Sequence, residues 1–397
     1  MKKQQKSPSK AIAVPLILGG LGALSGYYGM IYMKSFLPHS VLAVQGAGEK
    51  IVFIALAFFA VWVAIAFHEL GHLVAGLAQG FRIALYTAGL LGARGTERGV
   101  RFFLNRHISL MGGLAATFPE YLQSGPELRR KFVRIVAAGP LASLLLCVAA
   151  FIILSVLLQN AGESTSPALR AGVFFLLFTG GISGLIFAGT MIPARSGGFM
   201  SDGARLLSLL NGGEKSRYEE AVLAVTALLG AGKLPSEYPA DLIERLTARA
   251  PDSLLGFNGH FIAFTHYLDR GETARALSLT RVVQDHISVV PKGFEGHYLK
   301  EVVFFHAFLA GDAEAARAQW AAIQKRAERD PDATLLRVKA ALALLDGQTE
   351  AAGDFARKGL AKITDLPFEG QRRFEEKWLR AVLQQAQERQ QAGATGR

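Results

Sequence analysis

A single cysteine, Cys147, stands among 397 residues, and it lies inside an apolar run. With no second thiol there is neither a disulfide framework nor a thiolate cluster to hold a metal. Acidic residues are scarce in the first half. Residues 1–210 hold 18 Lys/Arg against 7 Asp/Glu, whereas residues 211–397 hold 25 of each. The whole formal net charge of +11 therefore falls in the apolar half. No aromatic-and-basic recognition module accompanies it, which excludes a nucleic-acid surface as its purpose. Positively charged loops that hold membrane spans in orientation account for it instead. No segment resembling a PDZ or CBS module is present, so regulation by such modules is not implied.

What is abundant is apolar: 51% of the residues are hydrophobic and only 19% charged. Four stretches reach the roughly 20 residues that a helix needs to cross a bilayer, at about 11–33, 51–78, 133–158 and 171–193. The first follows Lys2, Lys3, Lys6 and Lys10. Its apolar core is too long for a cleaved signal and no small-x-small site follows, so it reads as a retained anchor. The segment 79–132 carries Arg82, Arg94, Arg98, Arg101, Arg106, Arg129, Arg130 and Lys131, while the loops 34–50 and 159–170 carry only Lys34, Lys50 and Arg170. With the basic side inside, both termini face the cytoplasm and residues 68–72 lie toward the cytoplasmic end of the second span.

At that end the run Ala64-Ile65-Ala66-Phe67-His68-Glu69-Leu70-Gly71-His72 places two imidazoles at i, i+4 on one helix face. One helix can thereby give two nitrogen ligands to a tetrahedral zinc. Glu69 is placed to act as general base toward an attacking water, whose pKa the metal would lower. Three polar groups on one turn of a span, each costing about 2.5–3.5 kcal/mol on insertion scales, argue for a compensating ligand rather than packed histidines. A catalytic zinc normally takes a third protein ligand. Between residues 128 and 210 the only carboxylates are Glu163, on the outer side, and Asp202, directly after the fourth span. Asp202 also suits a helix cap. His107 and Glu120, in the long loop 81–130, are weaker ligand candidates.

Together with Ala138-Gly139-Pro140 opening a later span and a Pro…Asp-Gly run after the last, this motif resembles the site-2 protease family over about residues 50–210. The resemblance implies an intramembrane zinc metalloprotease in which His68, His72 and Asp202 bind zinc and Glu69 is the catalytic acid/base. It also implies a membrane-anchored protein substrate, such as an anti-sigma factor, and a bacterial inner membrane. Two departures stand out. Thr190 sits three residues before Pro193, where the family often has Asn. The insert between Pro193 and Asp202 is longer than usual, Ala194-Arg195-Ser196-Gly197-Gly198-Phe199-Met200-Ser201.

Phe81–Tyr86 and Val100–Leu104 read as alternating strands joined by a Gly-rich turn, a β-hairpin at the cytoplasmic membrane surface that could pair with substrate. After residue 211 the chain is Ala- and Leu-rich and helical. Gly271/Ala276, Gly311/Ala316 and Gly347/Ala352 repeat at about the period of stacked helical hairpins, a pattern that resembles tetratricopeptide repeats. The expectation is a mainly α protein: a transmembrane metalloprotease domain over 1–210 and a cytoplasmic helical repeat domain over 211–397, whose concave face could take a protein partner. Two alternatives stay open at this level. One is a gluzincin-type membrane protease with a glutamate as third ligand. The other is a membrane scaffold whose metal site is non-catalytic.

Overall fold

The computed structural model describes residues 46–105, 111–119, 125–160, 166–196, 199–291, 293–328 and 331–395. The expected span at 11–33 lies outside them, as do His107, Glu120 and Glu163. The described residues form a mainly α protein with a small antiparallel sheet. Among the described residues, three helices are long and apolar enough to cross a membrane: α1 (Gly46–Ala78), α2 (Gly125–Asn160) and α3 (Pro167–Met191). They coincide with the second, third and fourth stretches read from the sequence. Two compact units are present, each built from separate pieces of chain.

One unit holds α1 as far as His68, α2 from Leu141 and α3 to Gly189. Its interior is thin and tight. Ala60, Ala64 and Val173 are fully buried, Phe53 stacks on Phe174 at 4.5 Å, and Phe174 stacks on Phe178 at 4.4 Å. Gly180 has no side chain and so admits Ala150 and Phe151 against α3. Buried Arg170 is paired with Glu49 at 2.7 Å, which offsets the cost of withdrawing both charges from water. Ile51, Phe58, Leu145, Ile152, Ile153 and Leu185 point outward and are exposed. So much exposed apolar surface suits lipid and would be an aggregation liability in water.

The other unit holds Glu69–Pro140 and Thr190–Arg397. It begins with the last turns of α1 and the strands β1 (Phe81–Ala88), β2 (Leu91–Thr96), β3 (Gly99–Leu104) and β4 (Leu114–Pro119). Their order in the sheet is β3-β2-β1-β4. Both strands expected from the sequence are present, but they do not pair with each other. β2 lies between them, joined to each by a tight turn, at Gly89 (φ 58°) on one side and before Gly99 (φ 119°) on the other. The buried side chain of Asn105 locks the first turn by donating to the Gly89 carbonyl at 2.8 Å. Gly76 brings α1 against Thr117 of β4.

After α3 come the short strands β5 (Arg195–Ser196) and β6 (Phe199–Met200), then α4 (Asp202–Asn211) and α5 (Gly213–Gly230). The helices α6 (Ala240–Thr247), α7 (Leu254–Asp269), α8 (Thr273–His286) and α9 (Glu295–Phe304) follow. Phe305–Ala310 continues α9 as a π-helical turn, and α10 (Ala313–Ala327), α11 (Ala333–Leu345), α12 (Thr349–Leu360) and α13 (Glu369–Thr395) complete the unit. The three repeat glycines each turn the chain between paired helices with positive φ, Gly271 at 71°, Gly311 at 65° and Gly347 at 74°. Ala276, Ala316 and Ala352 are fully buried, as close helix packing requires. Arg337 of α11, fully buried, bonds to Glu301 of α9 and Glu375 of α13 at 2.7 Å each, tying three helices together. This helical array is fastened to the sheet. Arg101 of β3 reaches Asp365 at 3.1 Å, and Phe118 of β4 packs on Phe368 at 4.4 Å.

Candidate metal centre

α1 is unbroken through the His-Glu-Leu-Gly-His run, so the helix itself sets His68 and His72 one turn apart. Each ring is oriented by a hydrogen bond at Nδ1. The Nδ1–H of His72 donates to the Ile135 carbonyl at 2.8 Å, and Nδ1 of His68 shares a hydrogen bond with the Ser143 hydroxyl at 2.9 Å. Both partners lie on α2. The carbonyl partner fixes the tautomer of His72, and both bonds orient their rings so that Nε2 is left for a ligand, which is how metal-binding imidazoles are held by their surroundings. Pro140 shapes the same stretch. It lies inside α2 and lacks the N–H that would bond to the Val136 carbonyl.

Gly139 has a distinct role. A Cβ at that position would fall within the His72 ring, so only glycine allows the imidazole to lie against α2. The Ala-Gly-Pro run thus carries a packing reason for its glycine, which spacing alone could not supply.

Asp202 is the first residue of α4. Its carboxylate lies 3.6 Å from Nε2 of His72. The capping role is taken by its neighbour. Ser201 Oγ accepts from Ala204 N at 3.2 Å and from Ala194 N at 3.0 Å, and donates to the Ile192 carbonyl at 2.7 Å. Asp202 is therefore released from capping, and its charge sits well at a helix N-terminus. Gly203 is held against the Met191 carbonyl, where a Cβ would collide, so the Asp-Gly pair also rests on a close backbone approach. The sequence reading missed Ser143 and the Ile135 carbonyl. A lone Ser in an apolar span was the only signal for the first, and the second, a backbone group, leaves none.

His68, His72 and Asp202 form a group able to hold a metal ion, each offering one ligand atom and all such atoms lying within 4.8 Å of one another. Two imidazoles and a carboxylate suit zinc, whose catalytic sites take three protein ligands and keep a position open. Glu69 is partly buried on the following residue. Tyr86 of β1 feels its charge, and burial together with the Glu69 carboxylate pushes the phenol up, so that the hydroxyl keeps its proton.

A His-Glu-x-x-His turn beside an aspartate, on a helix apolar enough to span a bilayer, is the arrangement of a membrane-bound metallopeptidase. The model of Peptidase family M50 matches residues 56–365, and the chain belongs to that family, the site-2 protease family. No curated protein and no solved structure matches the chain. The protein is accordingly a membrane metalloprotease, and its substrates are proteins.

Proposed function

We propose that this protein is a zinc endopeptidase that hydrolyses membrane-anchored proteins within the membrane, near its cytoplasmic boundary. The observation that carries the reading is the Asp202 carboxylate against Nε2 of His72, one turn along an apolar helix from His68. His68, His72 and Asp202 would hold the zinc. When bound, zinc supplies Lewis acidity toward the scissile carbonyl and brings the pKa of a water toward neutrality. Glu69 takes the proton of the attacking water and returns it to the leaving amine. The Nδ1 bonds to Ser143 and Ile135 keep both imidazoles aimed.

A peptide bond in a helical span is masked by its own backbone hydrogen bonds and must be unwound before attack. Ile83–Tyr86 do not serve this purpose by strand pairing, because β1 is flanked on both sides by β2 and β4. The outer edge of β3 is the better platform. The two-residue turn at Glu97-Arg98 makes Thr96 and Gly99 the closing pair, so the N–H groups of Val100, Phe102 and Leu104 point away from β2. Phe102 is 81% exposed. The substrate is held there as an added strand. The chain resides in a bacterial inner membrane with both termini cytoplasmic, and residues 211–397 recruit a protein partner or gate access. Substrate cleavage releases a cytoplasmic regulator.

The test uses the protein in proteoliposomes with a single-span protein carrying an epitope on each side. Cleavage near the cytoplasmic boundary that stops on zinc chelation and returns with zinc is the expected result. Phe102→Pro, which removes one outward N–H without touching the β2 ladder, lowers cleavage about tenfold, whereas Phe102→Ala has a smaller effect. Equal activity in Phe102→Pro and wild type would discard the edge-strand platform while leaving the metal site standing.

A further inference from the structure

Arg217, Arg245 and Arg249 converge with Tyr218 and Ala248 on one pocket of about 340 Å³. The pocket belongs to α5, α6 and the residues just after α6, away from the metal centre's ligands in sequence and in role. Three guanidiniums facing one cavity repel each other unless an anion joins them. Asp241 answers only one of them, bonding to Arg245 at 3.2 Å. Arg249 lies over the Tyr218 ring, 5.7 Å from its centroid, and its Nε is buried with no acceptor. Among the described residues, Arg217 and Arg249 meet no carboxylate. Tyr218 adds no countercharge. Burial, chiefly, pushes its phenol up to about 12, and its hydroxyl donates to the Leu255 carbonyl at 2.7 Å. The cavity is therefore a cationic cup with an unmet need for acceptor oxygens.

The structure assigns this cup, we infer, as a binding site for a phosphate group, gripped by the forked guanidiniums of Arg217 and Arg249 with Arg245 at the rim. Arginine suits phosphate because its planar fork gives two parallel hydrogen bonds to two oxygens. At about 340 Å³ the cavity has room for the phosphate and a small polar attachment, at the low end of ligand-site volumes. The phosphate could arrive on a lipid headgroup or free in solution. The fold favours the lipid. Glu220, one helical turn after Arg217, pairs with Arg129 at 3.5 Å, and Arg129 lies in the opening turns of α2 just before that helix becomes apolar. Arg129, Arg130, Lys131 and Arg134 make this the kind of basic border that sits against anionic headgroups. A phospholipid captured here would hold the start of α5 at the membrane surface.

Native mass spectrometry of the full chain in detergent, titrated separately with phosphatidylglycerol and with inorganic phosphate, tests the assignment. One phosphatidylglycerol per chain is expected to bind in preference, with affinity reduced about tenfold in Arg217→Gln and in Arg249→Gln, and about a hundredfold in the pair. Arg275→Gln, an exposed arginine outside the cup, leaves binding unchanged. If inorganic phosphate binds as tightly and shows the same arginine dependence, the site is a phosphate site whose source is the solution. Failure of wild type to bind either probe, or wild-type affinity in the double variant, would overturn it. Arg249 packs on the core residue Tyr218, so the exposed Arg217→Gln variant decides the matter should the double variant not fold. None of these readouts depends on cleavage, so failure here leaves the peptidase reading untouched.

Discussion

Glu69→Gln is expected to abolish cleavage of a membrane-anchored substrate while the protein keeps its fold and its full complement of zinc. The loss is of the order of a thousandfold, within the range that a positioned general base contributes. Glutamine fills the same volume and is still polar, so packing around α1 is unchanged and the effect is on proton transfer. The metal ligands in this account are His68, His72 and Asp202, which makes zinc retention a part of the expected result. A time course of cleavage in proteoliposomes, beside zinc analysis of the same preparation, checks both halves. Residual activity above a tenth of wild type would remove Glu69 from the chemistry.

The second large effect is expected from a single methyl group. Gly139→Ala introduces a Cβ into the space of the His72 ring. Neither neighbour can move cheaply: one is the backbone of α2, the other an imidazole held by the Ile135 carbonyl. The ring must turn, its bond to Ile135 breaks, and Nε2 leaves the Asp202 carboxylate. Zinc per chain and cleavage should both collapse, the latter by at least about a hundredfold, as follows when a catalytic ligand is misplaced by about 1 Å. Gly181→Ala on α3 is the control, because nothing lies within 4 Å of that position. Wild-type zinc and activity in Gly139→Ala would mean that the His72 ring is held otherwise than described.

Much of this was legible in the sequence, and the parts that were not have identifiable reasons. The histidines could be paired by number alone because a helix fixes i and i+4 on one face. Asp202 could be reached only by elimination and resemblance, since 130 residues separate it from His72. Its release from capping depended on Ser201, a residue that spacing gives no reason to prefer. The sheet was half visible. β2, Leu91-Gly92-Ala93-Arg94-Gly95-Thr96, has one β-branched residue and two glycines, so it carries almost no strand signal. Its glycines are there for contact: Gly92 lies under the Phe103 ring and Gly95 against the Ile83 carbonyl. Missing β2 led directly to the wrong pairing for β1 and β3. In the helical half the Gly…Ala period marked the turns well, because positive φ at a helix end strongly selects glycine. The buried Arg337–Glu301–Glu375 network left no pattern, its members being 36 and 38 residues apart from Arg337.

The central claim is that Asp202 completes a zinc site with the two histidines of α1. Elemental analysis of detergent-purified wild type and Asp202→Ala tests it most directly. One zinc per chain in wild type, lost in Asp202→Ala with the fold intact, is the predicted result; one zinc retained in Asp202→Ala would contradict it.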